Sequence, residues 1–455
     1  MKKNIKKYFK VLLLSSIVVS TSCMNDDLEP SLRQQKQSEE GVLLVSDMEV
    51  IFKGALNRLT SSGYYGRDYL VTNEVRTPNT FSNGNSGRFS TEAAFEYLPS
   101  STYIWDNAYG VIANANILIG TDVSTLEGDL DYGQHIQGQA YAIRALAHLD
   151  LLLTYGQQNV GGDLGVPYIK EFKGDDLIPA RETVDSNVQD IMTDLQTAFD
   201  LMLEDYYDES KETVNKYFAK ALESRVAIYF EMWAEARDAA EIVINSGNFS
   251  IVPGEDYVAS FGQDGGSNSI FELAFSLTDN PGSDALEFIY RGGTYGDIEV
   301  APNVIDLYED GDVRADILGY EGDQLRNIGK YPDREANVIV IRYEEVVLNY
   351  AEALFELGQN ELALDYLNMI PESRNADSYS EITKTNLIEE RREELIFEGL
   401  YYWDLLRTES DIEKIDLEQN ISETILYGDF RLAYPIPLDE LDANSNMVQN
   451  PGYGS

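Results

Sequence analysis

Apolar residues recur along this chain mainly at helical spacing. Asp47 precedes Met48, Ile51, Phe52, Ala55, Leu56 and Leu59, an apolar face closed by Gly63, which predicts a helix capped at Asp47. The same spacing predicts helices over Tyr103–Leu118 and His135–Tyr155, and from Thr183 or Asp185 to about Leu203. The stretch from His135 is apolar almost all round (Ile136, Ala140, Ile143, Leu146, Leu149, Leu152, Leu153), the pattern of a buried helix. Two helical hairpins follow. The first joins Tyr217–Phe230 to Ala234–Asn245 and stops at Gly247; the second joins Tyr343–Leu357, ended by Gly358, to Glu361–Met369.

Ala227, Ala236 and Ala240 would let the helices of the first hairpin approach closely. Pairs of this kind resemble tetratricopeptide units, which bury their apolar faces only by stacking on neighbours, although neither pair carries the full repeat signature. Residues 64–100 lose the helical period. Such a long irregular stretch in a helical chain is more often functional than not. Residues 248–341 read as mixed strand and loop, with strands at Ser269–Phe275 and Val338–Ile341. The fold class expected is mainly α: a scaffold of tetratricopeptide-like helical pairs carrying an irregular part with few short strands.

The N-terminus reads as an address. Lys2, Lys3, Lys6, Lys7 and Lys10 precede the apolar run Val11–Val19 and then Ser20-Thr21-Ser22-Cys23. That run is about half the roughly 20 residues a membrane-spanning helix needs, so it has the layout of an export signal. Small residues directly before the sole cysteine resemble a bacterial lipobox. The expectation is a signal peptide over 1–22, lipidation at Cys23, and a flexible stalk over 23–40 with a root-mean-square span of about 20–24 Å. The body would divide into an N-terminal half, 41–247, and a C-terminal half, 248–455, packed as one unit. A single thiol leaves none for a disulfide framework.

Charge narrows the partners. The formal net charge is −45, and loss of the five signal lysines makes the body more acidic still. Nucleic acid, anionic lipid and polyanionic glycans are disfavoured, while 43% hydrophobic residues supply a core and place the acidity on a solvated surface. The 30 tyrosines suit either a polar-ligand surface or helix packing.

Catalytic signals are weak. His135 and His148 are the only histidines, and no His-Glu-x-x-His, Gly-x-Ser-x-Gly or phosphate loop occurs. Asp310-Gly311-Asp312 lacks the remaining spacing of a calcium loop. With 79 acidic residues, carboxylate pairs at glycosidase spacing arise by chance. A binding protein without metal, cofactor or catalytic residues is expected. Trp105, Trp233 and Trp403 fall in predicted helices and read as core. Arg391, Arg392, Glu393 and Glu394 read as a mixture of solvated and packed ion pairs within a turn or two of one another, and Asp404 with Arg407 as an i,i+3 pair.

Several motifs resemble one family. Arg342-Tyr343-Glu344-Glu345 continuing to Tyr350-Ala351-Glu352-Ala353, Glu390-Arg391-Arg392-Glu393-Glu394-Leu395 continuing to Trp403-Asp404-Leu405-Leu406-Arg407, and the ending Tyr434-Pro435-Ile436-Pro437 with Asn450-Pro451-Gly452-Tyr453 are similar to the C-terminal half of the SusD/RagB family. Asn114-Ala115-Asn116, Ala140–Leu152 and Gly165-Val166-Pro167-Tyr168 are similar to its N-terminal half. Tyr401-Tyr402-Trp403 departs from the Arg-aromatic pair usual before the aspartate. The resemblance implies a surface lipoprotein of the outer membrane, facing the cell exterior, whose irregular part is ligand-binding and captures oligosaccharides for a SusC-like TonB-dependent transporter. Asp26 and Asp27 are similar to that family's surface-export signal. Peptide binding for the same kind of importer is the alternative, and a surface glycosidase a third reading. Ligand contacts are expected from the irregular 64–90 region and the loops around 280–300: Tyr64, Tyr65, Asp68, Phe81, Asn83 and Arg88, with Tyr290 and Tyr295 opposite. Replacing Tyr64 and Tyr65 by Ala is then expected to weaken ligand without lowering the melting temperature.

Overall fold

Helix stacked on helix builds the scaffold in this computed structural model, which describes residues 41–173, 178–293 and 295–454. The expectations for the signal, Cys23 and the stalk therefore lie outside the described residues. The main helices are α1 (Val45–Leu59), α2 (Asp68–Val75), α3 (Trp105–Ile119), α4 (Leu130–Tyr155), α5 (Val184–Leu201), α6 (Lys216–Tyr229), α7 (Trp233–Ser246), α8 (Tyr343–Glu356), α9 (Asn360–Ser373), α10 (Lys384–Leu395) and α11 (Tyr401–Arg407). Helix α1 packs on α3, and from α3 to α9 each long helix packs on the next; α10 closes against α8 and α9. This is the nearest-neighbour stacking of tetratricopeptide-like pairs. Ala227, Ala236 and Ala353 are fully buried where α6, α7 and α8 meet, so small side chains do set that crossing.

Polar caps fix the helix starts. The Asp129 carboxylate accepts the Tyr132 N–H, so α4 begins at Leu130, five residues before His135. Thr183 accepts from Ser186 and opens α5. Asp47 is not the cap expected of it: α1 starts at Val45, and the Asp47 carboxylate reaches back to the N–H groups of Leu43 and Leu44. The irregular 64–100 region hides α2, every residue of which from Tyr69 to Val75 is buried. A helix covered on all sides shows no amphipathic period.

Strands are short. Among the described residues they form three antiparallel pairs: β1 (Thr80–Ser82) with β3 (Ile298–Val300), β2 (Ser269–Leu273) with β6 (Val338–Arg342), and the hairpin β4 (Leu318–Glu321) with β5 (Gln324–Asn327). Helices dominate, as the sequence pattern implies.

The most unusual feature of the core is charge. Glu394 on α10 is fully buried and accepts from Arg342 at 2.7 Å and from Arg374 at 2.9 Å. Glu344, at the start of α8, meets the same two guanidiniums at 3.1 and 3.0 Å. Arg314 is ringed by Asp312 (2.7 Å), Glu390 (2.6 Å) and Glu393 (2.9 Å). Arg391 reaches Asp404 at 3.1 Å, which also holds Arg407 at 2.7 Å, and Arg407 pairs with Glu352 at 2.6 Å. The Asp404–Arg407 pair is the one expected. The run Arg391–Glu394, however, makes its pairs with distant elements and not within its own helix. Its charges join α8, α9, α10 and α11 from the inside.

Burial and charge count decide protonation here. Burial raises Glu394, but the adjacent arginines win and hold its carboxyl well below the usual range. Burial pushes Glu390 up to about 7 and Glu393 up to about 8, because one guanidinium, Arg314, is shared among three carboxylates. Burial also lowers His135 to about 4 and His148 to about 3.

Two outcomes follow. Glu394→Ala leaves Arg342 and Arg374 to share Glu344, with Glu398 on Arg342 alone, and should cost about 3–5 kcal/mol of unfolding free energy, measured by urea denaturation. Glu390 and Glu393 have folded pKa values above their unfolded ones, so their stabilisation is complete near pH 4.5 and lost as pH rises through about 7–8. The buried histidines oppose this only below about pH 6.5. Melting temperature should therefore fall between about pH 6.5 and pH 8.5, and E390Q/E393Q should flatten that fall; a slope identical to wild type would refute the assignment.

Candidate ligand-binding surface

The β1–β3 pair brings two irregular segments together. Thr80 faces Val300, Phe81 faces Glu299 and Ser82 faces Ile298, so the chain leaving β1 and the chain entering β3 run side by side. Asn83 continues the ladder: its N–H donates to the Asp297 carbonyl at 3.0 Å, and its Nδ2 donates to the Gly296 carbonyl and to Glu299 Oε1, each at 2.8 Å. The Ser86 N–H donates to Asp297 Oδ1 at 3.0 Å. These bonds convert a loop without periodic pattern into a fixed edge.

The hairpin β4–β5 braces the second segment. Arg326 Nη1 donates to the carbonyls of Gly296 and Ile298 at 2.9 and 2.7 Å, and Gln324 donates to Glu299 at 2.7 Å. Glu321 accepts the Gly292 N–H. Gly296 sits at φ +52°, and a Cβ there would lie 2.9 Å from Gly292 Cα, so the tight approach needs glycine.

A charged and aromatic group lies on this edge. Arg88 Nη2 is 2.9 Å from Asp284, which also takes Arg67 Nη1 at 2.7 Å; Arg67 Nε in turn donates to Asp68 at 2.6 Å. The Arg88 guanidinium lies 4.6 Å from the centre of the Tyr295 ring. Arg88 and Asp284 remain about one-third exposed. Burial raises the Asp68 carboxyl, with the Arg67 bond opposing it. Two orphaned atoms, Nη1 of Arg88 and Oδ2 of Asp297, lack protein partners. The arrangement offers a flat ring, a cation and carboxylates to a polar ligand.

The structure therefore unites Asp68, Asn83, Arg88 and Tyr295. It removes the other four expected contacts from the surface. Tyr64 and Tyr65 are core residues, with hydroxyls on Asp150 at 2.6 and 3.3 Å. Burial raises Asp150 to about 6 while those hydroxyls oppose it. Tyr290 is fully buried, stacked on Tyr331 with 6.0 Å between centres. Phe81 is 8% exposed within β1. Tyr64 and Tyr65 seal a buried carboxylate, and Tyr290 packs against Tyr331 and Phe397. Arg67 and Asp284 were missed. Arg67 and Asp284 are 217 residues apart, and no local pattern pairs them.

Both histidines are buried and accept backbone N–H groups. His148 bonds the Arg144 carbonyl through Nδ1 and accepts the Ile169 N–H at Nε2, stacked 3.7 Å from Tyr168. His135 Nδ1 accepts the Leu203 N–H. Asp312 is spent on Arg314. Among the described residues, no group of three or more His, Cys, Asp or Glu could hold a metal ion.

The chain matches two family models, one described as the SusD family over residues 322–453 and one described as "starch-binding associating with outer membrane" over residues 33–228. It is 24% identical to the SusD-like protein P38 of Formosa agariphila, with 99% of each chain aligned. Among solved structures, a putative sugar binding protein from Bacteroides vulgatus is 28% identical at a TM-score of 0.84, covering 91% of this chain and 100% of that one. A SusD superfamily protein from Bacteroides thetaiotaomicron is 26% identical at a TM-score of 0.83, covering 90% and 100%.

Tyr64→Ala should lower unfolding free energy by about 3–5 kcal/mol, since it removes a core ring and a partner of buried Asp150. Ligand affinity of the folded fraction should be unchanged. Calorimetric titration and urea melts separate the two effects.

Proposed function

Because the chain belongs to the SusD/RagB family, we propose that it is a binding lipoprotein that captures oligosaccharides and delivers them to a SusC-like TonB-dependent outer-membrane transporter. The ligand and membrane readings rest on two supports, and the transporter partner on the family resemblance alone. One matched model describes starch binding and outer-membrane association, and one similar structure carries the description of a sugar binding protein. Cys23 would anchor the body facing the cell exterior; among the described residues, no helix is long and apolar enough to cross a membrane.

One observation carries the site: Arg88, fixed by Asp284, lies over Tyr295 on an edge held by backbone and side-chain bonds. A sugar ring can lie on a tyrosine face while guanidinium and carboxylate groups take its hydroxyls. Preorganisation keeps the ordering cost of binding low. Binding of this kind needs no bond cleavage, so the oligosaccharide should be released unchanged.

Titration of the mature protein with a panel of neutral oligosaccharides tests this. Tyr295→Ala and Arg88→Ala should each weaken the best ligand about tenfold, ~1.4 kcal/mol, with melting temperature nearly unchanged. Wild-type affinity in both variants would sink the site. Basic peptides binding where no oligosaccharide does would favour the peptide reading, and a shortened product would favour an enzyme.

A further inference from the structure

A second concavity lies along α3 and shares no lining residue with the Arg88 edge. It has a volume of about 750 Å³, within the range of small-ligand sites. Its walls come from α3, the chain after Pro167, Glu182, and Glu440 with Met447 near the C-terminus. The half-buried Tyr109 and the exposed Phe172 line it, backed by the buried rings of Trp105, 4.9 Å from Tyr109, and of Tyr168. Ile112, Ile169 and Ile178 make the rest of the lining apolar.

Charge gives this cleft a preference. Asp106, Glu171, Glu182 and Glu440 line it against Lys170 and Lys173, and among the described residues none of Asp106, Glu182 and Glu440 has a salt-bridge partner. Glu171 and Lys173 are exposed on the rim. Lys170, on the rim, is already paired with Asp190 at 2.8 Å. Arg181, behind the wall, spends its N–H groups on the carbonyls of Tyr155, Leu164, Gly165 and Val448 and on Asn450. Burial raises the Glu440 carboxyl; a hydrogen bond from Trp105 opposes the rise and Asp106 adds to it. Carboxylates beside aromatic faces in a partly desolvated cleft are the chemistry that selects an organic cation over an anion or a neutral polyol.

We propose that this cleft is a second binding site, taking a small molecule in which an ammonium group is carried on an apolar body. The ammonium would sit among Asp106, Glu182 and Glu440, and the apolar body against Tyr109 and Phe172. The site is independent of the oligosaccharide edge.

Calorimetric titration of the mature protein with 2-phenylethylammonium, and with 3-phenylpropionate as its charge-reversed control, tests this. The cation should bind and the anion should not. E182Q/E440Q should weaken the cation roughly fivefold or more, and Phe172→Ala, at an exposed ring that carries no core packing, should weaken it independently. R88A should leave it unchanged, and the cleft variants should leave oligosaccharide affinity unchanged, so failure of one site is read separately from failure of the other. Equal binding of the anion, wild-type affinity in both E182Q/E440Q and F172A, or displacement of the cation by oligosaccharide would overturn the proposal.

Discussion

A carboxylate buried between two guanidiniums determines how this molecule is assembled. Glu394 has no exposed surface, and Arg342 and Arg374 approach it from the end of β6 and the end of α9. Buried ions are costly to desolvate, and such pairs often add little net stability over apolar replacements. Their value lies in selectivity: any other stacking of the last helices leaves a bare charge inside. Glu344 and Glu398 complete the set around Arg342, and Lys330 donates both to Glu398 and to the Glu394 carbonyl. The helical pairs, each needing only an apolar neighbour, thereby acquire one register.

That rigid interior sets up the surface. Strand β6 leads directly into Arg342 and α8, and the chain between β2 and β6 holds Asp284, Tyr295, β3 and the β4–β5 hairpin. With β2 and β6 paired, the insertion has fixed ends, and β3 reaches back to pair with β1. Residues from two distant parts of the chain then meet at Arg88, Asp284 and Tyr295. The site consists of loop residues held by a rigid scaffold.

What could be read from the chain follows from periodicity. Amphipathic helices such as α1, α5 and α7 announce themselves, and the glycines after α7 and α8, Gly247 at φ +70° and Gly358 at φ +75°, mark their ends. Helix α2 was invisible because it is buried on every side. Tyrosine misled for a related reason: its dual character lets it serve at a ligand surface or in a core. Tyr64 and Tyr65 differ from Tyr295 only in what the fold places around them, a buried carboxylate in one case and solvent with Arg88 in the other. The acidic and basic residues of Arg391–Glu394 are likewise uninformative locally, since their partners arrive from four other elements.

The central claim is that ligand is held at the Arg88–Asp284–Tyr295 edge and not by the tyrosines packed near Asp150. A crystal structure of the protein with the tightest-binding oligosaccharide of the panel tests it most directly. The account predicts a sugar ring against Tyr295 with hydroxyls bonded to Arg88 and Asp284. Sugar bound elsewhere, with that edge left to water, would contradict it.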